Sequence, residues 1–482
     1  MRRFTVYDSL TRESRLFVPL VPPKVGLFVC GLTQYADAHI GHAKTAVTFD
    51  LVARALRHWG YRVFYVQNVT NIDDRLIARG GMEGVDPLVL ADRHFMAWQL
   101  AMGRLGATSA NYYPHATDYI PEIIAQVSQL VAGGFAYESM GSVYYDVAKF
   151  PAYGKLSGQR TEASRPGTRI EPEPGKRAAE DFVLWKAATP GEPTWERPWG
   201  PGRPGWHIED TAITVRLLGP RYDIHGGGLD LKFPHHEAEI AQAEAATGES
   251  PLVNYWMHAG LLTLSGEKMA KSVGNIVGLN ESIDRYGPMP LRLYYLNVHY
   301  RSPLDYVPGK SLEEAVEAYE RLMQPWRPLA AELEAAGLDR PGSELPEDVA
   351  EASNDALATM DDSLADDFNS RESLARLFTY GRGLVEWTHR LESLSSTALI
   401  QLAAPFRWAE EVLGIGLEAT ASALAARVAP VVEVALDARR RARSRGDYAE
   451  ADAIRAALLS AGIAVEDHGE RATWRVVPPT KP

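Results

Sequence analysis

The chain has 482 residues, 46% hydrophobic and 23% charged, with a formal net charge of −12 at pH 7. That length exceeds a single hydrophobic core and predicts about three or four domains, while the acidic balance argues against non-specific coating of nucleic acid but leaves room for a local basic surface. No apolar run is long enough for a membrane span, Met1-Arg2-Arg3-Phe4 lacks a secretory h-region, and a single cysteine excludes an intramolecular disulfide, which together suggest a reducing cytoplasm.

In chain order, Phe4-Thr5-Val6-Tyr7 predicts a short first strand. The apolar run Val25-Gly26-Leu27-Phe28-Val29 ends at Cys30 and reads as a buried parallel strand. A polar loop leads to His39-Ile40-Gly41-His42, and residues 43–59 carry apolar side chains every three to four positions, as on an amphipathic helix. Tyr61 to Val69 predicts a second buried strand, so strand, helix and strand make a βαβ unit with a parallel pair. In an open parallel sheet that strand-to-helix junction is where ligands bind, and a helix N-terminus favours phosphate. Gly41 lets a nucleotide lie against the backbone. His39 and His42 can donate hydrogen bonds to phosphoryl oxygens as charge builds there, although two polar residues can also simply start a helix.

Residues 85–106 read as helical. A helix from Ile120 to Val131 then leads into short strands near 136–138 and 142–147, and Arg160 to Arg177 is polar and rich in Pro and Gly, the texture of an insertion into the nucleotide-binding fold. Tyr222-Asp223-Ile224 predicts a buried strand ending in the turn His225-Gly226-Gly227-Gly228-Leu229-Asp230. There the backbone can approach a base or ribose and Asp230 can accept from ribose hydroxyls, unless it is a plain tight turn. Phe233 to Ala246 reads as a helix, which sets His235 and Glu239 on one face and turns His236 and Glu237 away from it. With Cys30 at the end of a neighbouring strand, sulfur, imidazole and carboxylate in one crevice suit Zn²⁺; the alternative is a surface His-Glu pair and a buried cysteine. In Gly266-Glu267-Lys268-Met269-Ala270-Lys271-Ser272 the lysines can close over a triphosphate, or belong to a solvated loop. Helical periodicity dominates from about 311 to 420. The last piece carries a helix with Arg439, Arg440, Arg441, Arg443 and Arg445, then a β-like tail with Trp474 and Arg475. Arginines beside an exposed aromatic suit stacking on unpaired bases, the alternative being a solvated basic face.

Taken together these pieces resemble the class I cysteinyl-tRNA synthetases, from about Thr5 to Arg475. The resemblance rests on Cys30-Gly31, His39 to His42, Asn68-Val69-Thr70-Asn71-Ile72-Asp73-Asp74, Gly205-Trp206-His207-Ile208-Glu209, His225 to Asp230, Phe233 to Glu237, Lys268 to Ser272, Asp366-Asp367-Phe368-Asn369 and Thr473-Trp474-Arg475, in the family's order and spacing. It implies an α/β fold: a Rossmann-type class I synthetase catalytic domain split by an insertion, then an all-α bundle and a small C-terminal domain. The implied boundaries are 1–118 and 200–250 for the catalytic halves, 119–199 for the connective insertion, 251–311 for a stem-contact segment with the lysine loop, 312–420 for the bundle and 421–482 for anticodon recognition. The implied activity is ATP-dependent joining of L-cysteine to tRNA(Cys) through cysteinyl adenylate, releasing pyrophosphate and AMP, by a cytoplasmic enzyme that is commonly monomeric and touches no membrane. His39, His42, Lys268 and Lys271 would be catalytic. Gly41, Gly226, Gly227, Asp230 and Lys271 would hold ATP, accompanied by Mg²⁺, and Thr70, Trp206 and His225 would line the amino-acid pocket. Cys30, Asp210, His235 and Glu239 would hold Zn²⁺, whose open position takes the substrate thiolate and so discriminates against serine.

The chain departs from the family pattern near the amino acid rather than near ATP. Asp210 stands where the family usually has cysteine. A carboxylate keeps the formal charge and binds zinc at a distance shorter by about 0.1–0.3 Å, but donates less electron density. Asp210 can also be read as the N-cap of a helix starting at Thr211. Gln34, Ala36 and Ala270 are softer departures. The alternative function is therefore a related ligase that activates another small amino acid or transfers to a non-tRNA acceptor, although residues 421–482 argue for tRNA. Intact His39, His42, Lys268 and Lys271 oppose a third reading, an RNA-binding protein that has lost catalysis.

Overall fold

The computed structural model describes residues 1–159, 174–196, 198–268, 276–387, 390–417, 421–460, 463–468 and 471–476, and the chain divides into two compact units. The first comprises Met1–Glu320, Asn354–Tyr380 and Arg407–Ile415. It opens with the hairpin β1 (Thr5–Asp8) and β2 (Glu13–Leu16), followed by β3 (Lys24–Val29), α1 (Ile40–His58), β4 (Arg62–Gln67), α2 (Asp74–Glu83) and α3 (Pro87–Arg104). Next come α4 (Ile120–Ala132), β5 (Ala136–Ser139), β6 (Ser142–Tyr145), β7 (Phe182–Ala187) and β8 (Gly202–Pro204). The chain continues with α5 (Ile208–Leu218), β9 (Tyr222–Gly228), α6 (His235–Thr247), β10 (Val253–Ala259), β11 (Leu262–Leu264), β12 (Glu267–Lys268), α7 (Leu279–Tyr286), α8 (Pro288–Leu296) and β13 (Leu304–Tyr306).

The central sheet has the order β10-β9-β3-β4, and every pair in it is parallel. Its strands are apolar on both faces because helices cover both: Val25, Leu27, Phe28 and Val29 of β3 are all buried. Chain order reverses across β3, between β4 on one side and β9 on the other, so the crevice beyond its carboxyl end is a topological switch point, the ligand site of open α/β sheets. Helix α1 makes the crossover from β3 to β4. It is held from behind by Asp50, which accepts from buried Arg292 at 2.5 Å and from Arg54 at 2.8 Å. Burial raises the Asp50 carboxyl, but the two guanidiniums outweigh it and leave the carboxyl below its ordinary range.

Strands β5 to β8 form a separate antiparallel sheet in that order. Val143, Tyr145, Leu184 and Trp185 of this sheet share a core with Ile123, Val127 and Leu130 of α4. Most of the polar stretch from Arg160 to Arg177, namely 160–173, lies outside the described residues.

Two sequence expectations are corrected here. The glycines after Ile224 do not form a turn but continue β9 to Gly228. Helix α5 starts at Ile208 with His207 as its N-cap, so Asp210 lies within the first turn and is not the cap. Thr211 is a poor marker of the start because Ile208 already buries against the core.

The second unit comprises Arg321–Ser353, Gly381–Phe406 and Gly416–Pro482. The periodicity after 311 resolves into α9 (Ser311–Ala336), α10 (Glu347–Ala365), α11 (Ser370–Trp387) and α12 (Ser396–Trp408), whose residues are divided between the two units; within the second, Trp326 lies against Phe406 at 5.3 Å between ring centroids. Two further helices, α13 (Ala421–Ser444) and α14 (Tyr448–Ser460), precede an antiparallel hairpin of β14 (Ile463–His468) and β15 (Arg471–Val476). Val432, Leu436, Leu458 and Val465 form its small core. Trp474 packs half-buried against that core and its Nε1–H donates to Glu433 at 3.4 Å, so only part of its ring is left for the stacking expected from the tail sequence. Of the arginines on α13, Arg439 is buried, Arg440 pairs with Asp437, and Arg445 pairs with Glu450 at 2.9 Å; Arg441 and Arg443 are exposed. The Arg475 side chain lies outside the described residues. Among the described residues no helix is long and apolar enough to cross a membrane.

A candidate catalytic cleft

His39 is the N-cap of α1. Its Nδ1 accepts from the Gly41 N–H at 3.2 Å, while His42 Nδ1 accepts from the His39 N–H at 3.3 Å. This is a capping box in which two imidazoles replace the usual hydroxyl and carboxylate. The rings stack with centroids 3.5 Å apart. Because Nδ1 is an acceptor in both, each neutral ring carries its hydrogen on Nε2. The loop entering α1 is pinned by the backbone: Ile40 N–H donates to Val277 O at 3.1 Å, and Leu279 N–H to Ala38 O at 3.0 Å. Lys268 ends β12, opposite Thr263. The Lys268 side chain, and Ala270 and Lys271 entirely, lie outside the described residues.

The glycines of β9 are where the sheet meets its helices. A Cβ on Gly226 would come within 2.2 Å of the Phe49 ring on α1, and one on Gly227 within 2.8 Å of His236 on α6. Both glycines are buried, and the cleft is lined instead by Gly228 and Asp230 beside His39, Gly41 and His42.

At the other end of the same cleft lies a buried group of side chains. Cys30 directly follows β3, and the switch point brings it beside Asp210 from α5 and His235 and Glu239 from α6. The four candidate ligand atoms all lie within 4.8 Å of one another. His235 Nε2 is 3.0 Å from Asp210 Oδ2 and 3.2 Å from Glu239 Oε1, and Cys30 Sγ is 3.7 Å from Glu239 Oε1. Burial, then the Glu239 and Asp210 carboxylates, push the Cys30 thiol well above its ordinary range. Burial and Asp210 likewise raise Glu239, and Glu209 next to it. Among the described residues no lysine or arginine pairs with these three acids, and one oxygen each of Glu209 and Glu239 is buried without a hydrogen-bond partner. Packing thiol, imidazole and carboxylates this tightly without a cation is costly. A divalent ion would cancel the repulsion, and the donor set matches the thiolate, imidazole and carboxylate ligands of zinc. The residues therefore fit the metal.

Of the expected amino-acid contacts, Thr70 and Trp206 line the cleft. Thr70 Oγ1 donates to Glu209, and Trp206 stacks on His235 at 4.5 Å. His225 is fully buried beneath Cys30, with Nε2 3.3 Å from the sulfur and Nδ1 2.6 Å from Tyr222 Oη. His236 does not turn away as expected: its Nε2 is 3.2 Å from the same sulfur. The i, i+3 spacing to Glu239 shares a helix face just as i, i+4 does, and the sequence reading used only the latter. Sequence reasoning also passed over Asn68, whose Nδ2 donates to Asp210 Oδ1 at 2.5 Å, and His207, whose Nδ1 meets His235 Nδ1 at 2.7 Å. Both belong to stretches already singled out, but nothing in their spacing shows that they orient Asp210 and His235.

Comparison with known proteins gives the family. Residues 16–317 match the family model of the tRNA synthetases class I (C) catalytic domain, and 426–475 match the Cysteinyl-tRNA ligase anticodon binding domain. A cysteine–tRNA ligase of Dehalococcoides mccartyi is 42% identical over 98% of this chain and 99% of its own length. One from Thermoplasma acidophilum is 42% identical over 97% and 99%, and one from Methylococcus capsulatus 43% over 98% and 99%. Among solved structures, Mycobacterium tuberculosis methionyl-tRNA synthetase with methionyl-adenylate is similar at a TM-score of 0.57 and 15% identity, over 81% of this chain and 92% of that one, a likeness of fold alone.

Proposed function

The chain belongs to the class I cysteine–tRNA ligases, and from that membership we propose that it joins L-cysteine to tRNA(Cys) at the expense of ATP. The cysteine carboxylate attacks the α-phosphorus of ATP and pyrophosphate leaves. A hydroxyl of the 3′-terminal adenosine then attacks the carbonyl carbon of the adenylate, and AMP leaves. The single observation that carries the reading is that one cleft has a histidine-capped helix start at one end and a buried group of Cys30, Asp210 and His235 at the other.

In this reading His39 and His42 donate from Nε2 to the α-phosphate oxygens, where charge grows in the transition state. Donors fixed in advance are the most effective kind, because they need no reorganisation as the reaction proceeds. Lys268 and Lys271 neutralise the departing pyrophosphate, Asp230 accepts from the ribose, and Mg²⁺ accompanies ATP. Thr70 and Trp206 bound the amino-acid subsite. Cys30, Asp210, His235 and Glu239 hold a zinc ion that, when bound, offers the substrate sulfur a soft ligand position which serine fills poorly. Asn68 and His207 keep Asp210 and His235 aimed. Residues 421–482 read the anticodon, and the enzyme acts in the cytoplasm as a monomer. A non-tRNA acceptor loses its support, since relatives match through the C-terminal region as well.

The test is an amino-acid screen of ATP–pyrophosphate exchange together with tRNA charging. Cysteine-dependent exchange and cysteinyl-tRNA are expected. Exchange driven by another amino acid instead, or exchange without charging, would overturn the assignment.

A further inference from the structure

The buried group around Cys30 has an inner half as well as an outer one. The ligand atoms of Cys30, His225, His236 and Glu239 lie within 4.8 Å of one another, as closely as the outer set does. The two sets share the sulfur and the Glu239 carboxylate, and that carboxylate straddles them. Its Oε1 is 3.2 Å from His235 Nε2 on the cleft side, while its Oε2, buried and without a hydrogen-bond partner, is 3.5 Å from His225 Nε2 on the inner side. Both inner imidazoles are aimed from behind, His225 Nδ1 by Tyr222 Oη at 2.6 Å and His236 Nδ1 by His258 Nε2 at 2.9 Å. Such outer hydrogen bonds are how proteins orient ligand histidines. Asp210 and His235 line the cleft, whereas His225, His236 and Glu239 do not.

We propose that Cys30, His225, His236 and Glu239 form a second, inner seat for the same divalent metal ion, so that one ion per chain is divided between a seat facing the cleft and one withdrawn from it. The inference rests on the reading that a metal binds at Cys30, and adds where it sits. Asp210 is what levels the seats. With a carboxylate at 210 the outer set offers one sulfur, as the inner set does, so softness does not favour the outer seat. The inner set differs from the outer by an imidazole in place of the Asp210 carboxylate, and its two anionic and two neutral ligands already neutralise a dication. An ion in the inner seat is bound but cannot reach a substrate thiol, so a metal-replete preparation contains a fraction unable to select cysteine.

X-ray absorption on the full-length protein loaded with one equivalent of zinc tests this, because imidazole rings scatter distinctively. The outer seat supplies one imidazole per zinc and the inner seat two. An average between one and two is expected for the wild type, rising to two in Asp210→Ala and falling to one in His236→Asn, with zinc retained in both. A wild-type value of one, joined by zinc affinity falling more than about a hundredfold in Asp210→Ala, would remove the inner seat and leave the outer assignment standing. Two imidazoles in the wild type, unchanged in His235→Asn, would support the inner seat and overturn the outer one. No zinc bound by the wild type at all would overturn both. The wild-type spectrum needs no variant to fold.

Discussion

The two ends of the cleft solve opposite problems. At the end proposed for the nucleotide, one helix start brings together backbone N–H groups, a dipole and two imidazoles that hold each other in place. The two ring Nδ1 atoms and the N–H groups of His39 and Gly41 are all partnered as the protein stands. At the amino-acid end, side chains from three separate elements bring thiol and carboxylates into a dry space where they repel one another. A divalent cation would complete that end. The first is a local device and the second a tertiary one, and they should fail differently when perturbed.

The largest effect is expected behind the nucleotide end. Arg292→Ala strips buried Asp50 of its closest partner and should cost about 3–5 kcal/mol in urea unfolding, as breaking buried pairs does. Because the folded Asp50 carboxyl lies below 3.8, the pair's stabilisation is present above that pH and lost as pH falls through the lower folded value. The wild type should therefore lose more stability on acidification than the variant does, measured by unfolding at pH 7 and pH 3. Next, His42→Ala should lower cysteine-dependent exchange by about 10²–10³, or roughly 3–4 kcal/mol, with zinc content unchanged. A parallel loss of zinc would mean that the ends are not independent. At the other end, Asn68→Ala should weaken zinc by about 10- to 100-fold in chelator competition, since it frees Asp210 to turn. The smallest change is expected for Asp210→Cys, which should tighten zinc by about tenfold through the softer donor; an unchanged affinity would mean that Asp210 is not a ligand.

The same contrast explains what could be read from the residues alone. The βαβ unit, α1 and its histidine start were legible because apolar periodicity and a short motif are local signals. Cys30, His235 and Glu239 were legible as chemistry but not as geometry. His236 was misjudged because only the i, i+4 partner of Glu239 was sought, whereas the i, i+3 position lies on the same face, over Gly227 of β9. The triple glycine was taken for a turn because glycine marks both turns and close approaches. Only the nearness of Phe49 and His236 distinguishes the two.

Most helix starts can exchange Ser, Thr, Asp and Asn with little loss. In the function proposed above, the start of α1 cannot be traded so freely. Serine at position 39 would still accept from the backbone and keep the helix, but it would remove the ring whose far nitrogen is the donor. In the function proposed above, fold and chemistry use opposite sides of the same imidazole, so stability to spare would not compensate for losing the ring at position 39 or 42.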